Sequence, residues 1–229
     1  MGTLLLILLA LYGTIAGAPH AHGPKEASRG ARAAVPEAEG EAPAGATGGT
    51  SSGPVLVVGD SLAVGTQAPL AQLLPGWRIV TSAHTDRHTA DGVAEILSRG
   101  SLPSVIVVSL GTNDNPSETA RFAGEVEAVM DAAGPSRCVI WANIARPPYA
   151  GVSYAGYNRV LTRLSLSRPN LVVADWAGIA RSQPGVLGSD GVHATPSGYA
   201  IRAQAIAGAI ASCSGVRAYG GTSAGAVGD

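Results

Sequence analysis

Short, continuous runs of apolar residues alternate with longer amphipathic segments from residue 54 onward. A short continuous apolar run is typical of a strand buried on both faces, whereas apolar positions repeating every three or four residues are typical of a helix. The continuous runs predict five strands, at residues 54–58, 77–80, 104–110, 138–143 and 171–174. The amphipathic segments predict five helices, at residues 63–74, 89–98, 116–133, 154–167 and about 195–211.

Regular alternation of strands and helices is typical of α/β proteins with a parallel sheet and helices on both of its faces. In such folds a ligand binds outside the carboxyl ends of the strands. The polar residues that directly follow each strand are therefore the candidates for a functional site.

The ends of the chain differ in composition from its middle. Residues 1–18 form an uncharged, largely apolar run that ends in small residues, which predicts a signal peptide or an uncleaved N-terminal anchor. Residues 19–53 are rich in Ala, Gly, Pro and Glu, and residues 214–229 are rich in Gly, so we expect a disordered linker and a flexible tail. The folded domain is predicted at residues 54–213, in a secreted or cell-envelope protein that we expect to be a monomer and that could be tethered to the membrane.

Charge and cysteine content narrow the class of protein. The 229-residue chain carries a net charge of -1 and only 14% charged residues. This balance gives no electrostatic footprint for nucleic-acid binding, which needs a clustered basic surface. In an exported protein the two cysteines, Cys138 and Cys213, could form a disulfide, or they could be two buried free thiols.

Three polar segments lie at predicted strand ends or before the last helix. They are Gly59-Asp60-Ser61-Leu62 after the first strand, Gly111-Thr112-Asn113-Asp114 after the third, and Asp190-Gly191-Val192-His193 before the last helix. Because a parallel sheet brings the ends of its strands to one edge, we expect Ser61, Asn113 and His193 to converge despite their separation in sequence.

The residue types in these segments are those that acyl transfer requires. A serine hydroxyl becomes a good nucleophile when a neighbouring base removes its proton, and histidine is the usual base. A carboxylate holds that histidine in the right tautomer. We therefore predict Ser61 as nucleophile, His193 as base and Asp190 as its orienting carboxylate, with the Ser61 backbone N–H and the Asn113 amide as oxyanion donors.

The three segments resemble the conserved blocks of the SGNH hydrolases, also called GDSL esterases or lipases. Gly59-Asp60-Ser61 matches the nucleophile block, Gly111 to Asp114 the asparagine block, and Asp190 to His193 the final block. The resemblance covers residues 54–213. It implies a flavodoxin-like three-layer α/β/α sandwich with a five-stranded parallel sheet, and a serine esterase without a cofactor or a metal.

One family block is missing from this sequence. The family has a glycine after the second strand whose backbone N–H is a third oxyanion donor, and here Asp86, beside Arg87, takes that place. Either the Asp86 backbone supplies this donor, or the oxyanion hole rests on Ser61 and Asn113. His84 and His88 flank the same position, and we expect them to belong to a polar loop rather than to a metal site.

Another motif is a weaker candidate. Gly221-Thr-Ser223-Ala-Gly225 fits the nucleophile elbow of α/β-hydrolases, but it has neither a strand before it nor a histidine after it. We assign it to the tail.

A looser similarity concerns the substrate. Residues 141–148, Tyr157-Asn158 and Asp175-Trp176 are similar to the SGNH domains of bacterial membrane O-acyltransferases, which modify cell-wall sugars. The leading hypothesis is hydrolysis of a short-chain acyl or acetyl ester, of a small molecule or a carbohydrate, through an acyl-Ser61 intermediate. The alternatives are an O-acyltransferase or O-acetylesterase acting on cell-wall carbohydrate, and a catalytically silent carbohydrate-binding module.

Overall fold

The computed structural model describes the backbone of residues 53–219 and the side chains of residues 53–213. The predicted leader and the Gly221–Gly225 motif lie outside the described residues, as does all of the predicted linker except its last residue, Gly53. The strands are β1 (Val55–Gly59), β2 (Ile79–Ala83), β3 (Val105–Ser109), β4 (Cys138–Ala142) and β5 (Leu171–Ala174). The helices are α1 (Ser61–Leu73), α2 (Thr89–Ser98), α3 (Thr119–Ala133), α4 (Ala155–Ser167), α5 (Trp176–Ser182) and α6 (Pro196–Tyr219).

The five strands form one parallel sheet in the order β2-β1-β3-β4-β5. This is the flavodoxin-like doubly wound order, in which the chain starts near the middle of the sheet and its direction of growth reverses once. The predicted fold class is therefore confirmed, and the carboxyl ends of all five strands lie at one edge.

Alternation of side chains along β1 separates two cores. Val55 and Val57 point to the face covered by α1 and α6, whereas Leu56 and Val58 point to the face covered by α2, α3 and α4. Every residue of β1, β3 and β4 is buried, which explains why these strands are continuous apolar runs in the sequence.

Three elements differ from the sequence-based prediction. Helix α5 was not predicted, because its seven residues are too few to show a helical period. Strand β2 begins at Ile79 rather than at residue 77, and its residues are half-buried or exposed because it lies at the edge of the sheet. Helix α6 continues to Tyr219, beyond the predicted domain boundary at residue 213.

Cys138 and Cys213 form a disulfide with a Cα–Cα distance of 5.9 Å. The bond joins the first residue of β4 to helix α6, at the edge of the sheet opposite to the carboxyl ends of the strands. Of the two alternatives that the sequence left open, the structure therefore shows the bridged one. Within residues 53–219, no helix has the length and apolar character needed to cross a membrane.

Candidate active site

Ser61 lies at the first position of α1, and only Asp60 separates it from the end of β1. Asp60 caps this helix, because its buried carboxylate Oδ1 accepts a hydrogen bond from the Leu62 backbone N–H at 2.9 Å. Gly59 permits the sharp turn, since a Cβ at this position would lie 2.3 Å from the Cβ of Ala63. The Ser61 N–H therefore belongs to the first turn of a helix, where backbone N–H groups have no partner within the helix.

His193 lies in the loop between α5 and α6, and Asp190 determines the shape of that loop. Asp190 Oδ1 accepts hydrogen bonds from the backbone N–H groups of Val192 and His193, at 2.9 and 3.0 Å. Its second oxygen, Oδ2, lies 2.7 Å from His193 Nδ1. The carboxylate thus orients both the backbone and the imidazole ring.

Ser61 Oγ lies 2.9 Å from His193 Nε2, across a separation of 132 residues in sequence. The serine hydroxyl, the imidazole and the Asp190 carboxylate therefore form one continuous chain of hydrogen bonds. The tautomer with its proton on Nδ1 donates to Asp190 and leaves Nε2 as an acceptor for the serine hydroxyl. This is the arrangement in which histidine acts as a general base toward serine.

The hydrogen bonds around Asp190 change its acidity. The hydrogen bond from His193, followed by those from the backbone N–H groups of Val192 and His193, lowers the pKa of Asp190 to about 2. The carboxylate is therefore ionised throughout the neutral range. Half of its side chain is exposed to solvent.

Asn113 follows β3 in a loop that its neighbours hold in place. The single hydroxyl proton of Tyr154 is shared between the backbone carbonyls of Thr112 and Asp114, which lie 3.2 and 2.9 Å from Tyr154 Oη. The Asp114 carboxylate in turn accepts hydrogen bonds from the backbone and side chain of Thr89, at the first position of α2. This loop is thus fixed from two helices on the same side of the sheet.

The Asn113 side chain connects this loop to the position where the family has its glycine. Asn113 Nδ2 donates a hydrogen bond to the Arg87 carbonyl at 3.2 Å. An amide group has two N–H donors, so one remains for another acceptor. Arg87 is itself buried and anchored, since its guanidinium donates to the Ser82 carbonyl at 2.8 Å and to Glu95 at 2.6 Å.

Asp86 has a φ of 58°, in the left-handed region that favours glycine. The backbone at this position thus has a conformation that glycine adopts without strain, which agrees with the alignment of Asp86 to the family's glycine. The side chain of Asp86 is exposed.

The other histidines and tryptophans considered in the sequence do not take part in the chain of hydrogen bonds from Ser61 to Asp190. His88 Nδ1 lies 2.9 Å from the Asp114 carboxylate, and His84 Nδ1 lies 3.2 Å from the Thr85 carbonyl oxygen. Trp141 and Trp176 are fully buried.

Two groups of residues near the site were missed by the sequence-based reasoning. Arg202, in α6, is 2% exposed and donates hydrogen bonds to the hydroxyls of Thr66 and Ser109, at 3.0 and 2.8 Å. Its positive charge opposes the effect of burial on Asp60, whose pKa is raised by desolvation. A helical arginine in sequence looks like a surface residue, so no sequence signal identified this one.

Asparagines form the second group. Asn158 donates to the carbonyl of Ile144 and accepts from its N–H, both at 2.9 Å. Asn143 donates to Asp175 at 2.7 Å and accepts from the Ala177 N–H at 2.6 Å. Asn143 and Asn158 lie in the segments that resemble O-acyltransferase SGNH domains, but the sequence did not reveal that they position the chain after β4.

Comparison with solved structures identifies the fold. The C-terminal catalytic domain of Streptococcus pneumoniae peptidoglycan O-acetyltransferase A, solved with a methylsulfonyl adduct, superposes with a TM-score of 0.61 at 22% identity, covering 72% of this chain and 96% of that one. The Clostridium thermocellum family 3 carbohydrate esterase gives a TM-score of 0.58 at 16% identity, covering 72% and 98%. A lipase/acylhydrolase from Enterococcus faecalis gives 0.54 at 20% identity, covering 69% and 94%.

At these identities the similarity establishes the fold, which is that of the SGNH hydrolases. No family model matches the chain, and no curated protein matches it significantly.

Proposed function

We propose that this chain is a serine ester hydrolase that cleaves a short-chain acyl ester through an acyl-Ser61 intermediate. The observation that carries the proposal is the hydrogen-bond chain from Ser61 Oγ to His193 and on to Asp190, at 2.9 and 2.7 Å. The fold supports it, because enzymes described as a carbohydrate esterase and as a lipase/acylhydrolase have the same fold.

In the first half of the reaction, Ser61 Oγ attacks the carbonyl carbon of the ester while His193 Nε2 accepts the hydroxyl proton. The tetrahedral intermediate then expels the alcohol, which takes that proton from His193, and acyl-Ser61 remains. In the second half a water molecule attacks, His193 accepts its proton, and the acid is released with Ser61 regenerated. Asp190 stabilises the imidazolium cation in both halves without accepting its proton.

The oxyanion requires donors that are in place before the reaction. The Ser61 N–H at the start of α1 and the free N–H of the Asn113 amide are two such donors in this proposal, and the Asp86 N–H is the third. Loss of one donor of this type raises the barrier by about 3–4 kcal/mol.

Transfer of the acyl group to a sugar hydroxyl is the second candidate. It is favoured by the openness of the site, because the side chains of His193 and Asp190 are 51% and 50% exposed and a bulky acceptor can approach them. A peptidoglycan O-acetyltransferase domain also shares the fold. Hydrolysis and transfer use the same acyl-enzyme and differ only in whether water or a sugar attacks it.

Export from the cytoplasm completes the proposal. The disulfide between Cys138 and Cys213 supports it, because such bonds persist in oxidising compartments. The apolar N-terminal run at residues 1–18 supplies the leader or the membrane tether.

The test is hydrolysis of p-nitrophenyl acetate by wild type and Ser61→Ala, with labelling by a fluorophosphonate probe. We expect Ser61→Ala to lose both activity and labelling, while Ser101→Ala, a matched variant at an exposed loop serine, retains both. Retained hydrolysis in Ser61→Ala would overturn the proposal, and unlabelled wild type would favour the silent module.

Adding sugar oligomers to acylated enzyme separates the two candidates, since transfer yields an acyl sugar and hydrolysis yields only free acid.

A further inference from the structure

A cleft of about 380 Å³ lies between the segment that follows β4 and helix α5. Gly191, within the Asp190–His193 loop, forms part of its wall. The loop and the β4 segment are in close contact, since a Cβ at Gly191 would lie 2.9 Å from Pro147 Cγ. The cleft therefore adjoins the loop that carries the proposed base.

The charges that line this cleft are all of one sign. Arg146 and Arg181 line it, and the other lining side chains are apolar or neutral. Neither arginine forms an ion pair with a carboxylate within the part of the chain that the structure describes. Two guanidinium groups without an acidic partner in a concave site are suited to bind an anion.

Arg146 is held in place before any ligand binds. Its Nη1 donates a hydrogen bond to the Thr112 carbonyl, next to Asn113. Its guanidinium carbon also lies 6.0 Å from the ring centre of Tyr149 and 5.7 Å from that of Tyr154, within the range of a cation–π contact. A guanidinium has five N–H donors, so most of them remain for a ligand, and a fixed side chain loses little entropy on binding.

Both walls of the cleft are fixed by half-buried asparagine side chains. The Asn158 side chain forms hydrogen bonds with both the backbone N–H and the carbonyl of Ile144, which lies two residues before Arg146. Asn143 binds Asp175 and the Ala177 N–H at the start of α5, the helix that carries Arg181. The backbone positions from which the two arginines project are thus set by the fold.

We propose that Arg146 and Arg181 form an anion subsite that binds a carboxylate of the ester substrate, in its acyl half or in its alcohol half. This inference rests on the proposed function, and it narrows the substrate class to esters with a negative charge near the ester bond. A bidentate contact from a preorganised arginine to a carboxylate gives geometric specificity as well as affinity.

The kinetic test compares isosteric pairs of esters with and without charge. For the alcohol half the pair is 4-acetoxybenzoate and 4-acetoxybenzamide; for the acyl half it is the mono-4-nitrophenyl ester of adipic acid and the same ester of adipic acid monoamide. The quantity measured is kcat/KM for the charged ester divided by kcat/KM for its neutral isostere. We expect wild type to prefer the charged member of one pair by about tenfold or more, equivalent to about 1.4 kcal/mol. The pair that shows this preference tells whether the carboxylate belongs to the acyl half or to the alcohol half of the substrate.

Variants then assign the preference to the arginines. Arg181→Gln and Arg146→Gln should each reduce the ratio of the preferred pair several-fold, and Arg181→Lys should retain part of it because it keeps the charge. Arg163→Gln, which removes an exposed arginine of α4 outside the cleft, should keep the wild-type ratio. Because Arg181 lies in the last turn of α5, Tm is measured as well; a purely structural role would lower Tm without changing the ratio.

Binding is measured separately from chemistry. The same four esters are titrated into Ser61→Ala and into Ser61→Ala/Arg181→Gln, and we expect the charged ester to bind the single variant more tightly. Equal ratios in wild type and both glutamine variants, or equal binding of charged and neutral esters to Ser61→Ala, would overturn the subsite. If wild type cleaves neither these esters nor p-nitrophenyl acetate, the proposed function fails, while the binding comparison still decides the subsite.

Discussion

Asp190 Oδ2 lies 2.7 Å from His193 Nδ1, and the two residues are only three positions apart in the chain. One short loop therefore delivers both the proposed base and its orienting carboxylate to Ser61. The same carboxylate also accepts two backbone N–H groups of that loop, so the side chain that orients the ring also shapes the backbone that carries it.

Replacing Asp190 by Asn should lower kcat on p-nitrophenyl acetate by about 10³- to 10⁴-fold, because an amide does not hold the imidazole in the required tautomer or stabilise its cation. Asp131→Asn, which neutralises an exposed aspartate paired with Arg168, should keep wild-type kcat. Retention of a tenth or more of the activity in Asp190→Asn would contradict the assigned role.

The pH dependence of Asp190 has a defined sign. Its folded-state pKa of about 2 is below the unfolded value, so its contribution to stability is present above about pH 4 and is lost as the pH falls toward 2. Above about pH 4 the carboxylate stays ionised, so we expect any fall of kcat/KM between neutral pH and about pH 4 to come from another group. A pH–rate profile of wild type measures this, and protonation of Asp190 in that range, followed by NMR, would contradict it.

Asp86→Asn should raise kcat/KM for p-nitrophenyl acetate, by up to about tenfold. The variant removes a negative charge next to the Asn113–Arg87 hydrogen bond, where we propose that the oxyanion forms, and asparagine tolerates a φ of 58°. Asp91→Asn, at an exposed position in the first turn of α2, is the matched neutralisation and should leave kcat/KM at the wild-type value. A fall of kcat/KM in Asp86→Asn would show that the carboxylate assists the reaction.

The fold was predictable because its central strands carry an unambiguous pattern. β1, β3 and β4 are buried along their whole length, so they are short apolar runs rich in β-branched residues, and their length of about five residues favours a strand over a helix. Strand β2 lies at the sheet edge and includes the polar residues Thr81 and Ser82, so it has no continuous apolar run. The sequence-based prediction therefore placed the strand two residues too early. Helix α5 has too few residues to show a period.

The sequence predicted those site residues whose position follows from the order of strands and helices. Ser61, Asn113 and His193 follow from the rule that strand ends meet at one edge, and the structure brings Ser61 and His193 to 2.9 Å. Their catalytic roles stay predictions. The hydrogen bond from Asn113 to the Arg87 carbonyl, the burial of Arg202 and the pairing of Arg146 with Arg181 across a cleft depend on side-chain packing in three dimensions, which no local pattern encodes.

Removing the disulfide with Cys138→Ser/Cys213→Ser should lower the free energy of unfolding by about 4–5 kcal/mol, since the bond closes a loop between residues 75 positions apart. Urea unfolding of the double variant against oxidised wild type measures this. Because Cys138 begins β4, at the edge opposite the site, kcat at room temperature should match wild type in the folded protein. Reduced wild type should unfold at the same urea concentration as the variant, and a loss under 1 kcal/mol in both would contradict the prediction.

Arg202 and Asp60 are buried charges beneath the helix that begins at Ser61. Arg202 is 2% exposed, and burial lowers its pKa to about 10, so it is a cation at neutral pH. Asp60 is completely buried, and desolvation raises its pKa while the charge of Arg202 opposes that rise. The arginine therefore makes it less costly to keep the helix-capping carboxylate ionised.

Replacing Arg202 by Met removes this compensation and should destabilise the domain by about 3 kcal/mol or more at neutral pH. The pKa of Asp60 would rise further above its unfolded value, so the folded state would hold a proton that the unfolded state releases, and stability would fall as the pH rises from about 4 to neutral. The loss of stability should thus be smaller at about pH 4 than at neutral pH, as measured by urea unfolding at both. Arg202→Lys, which keeps the charge, should recover part of the stability, and an equal loss in Arg202→Met at both pH values would show that packing rather than charge is responsible.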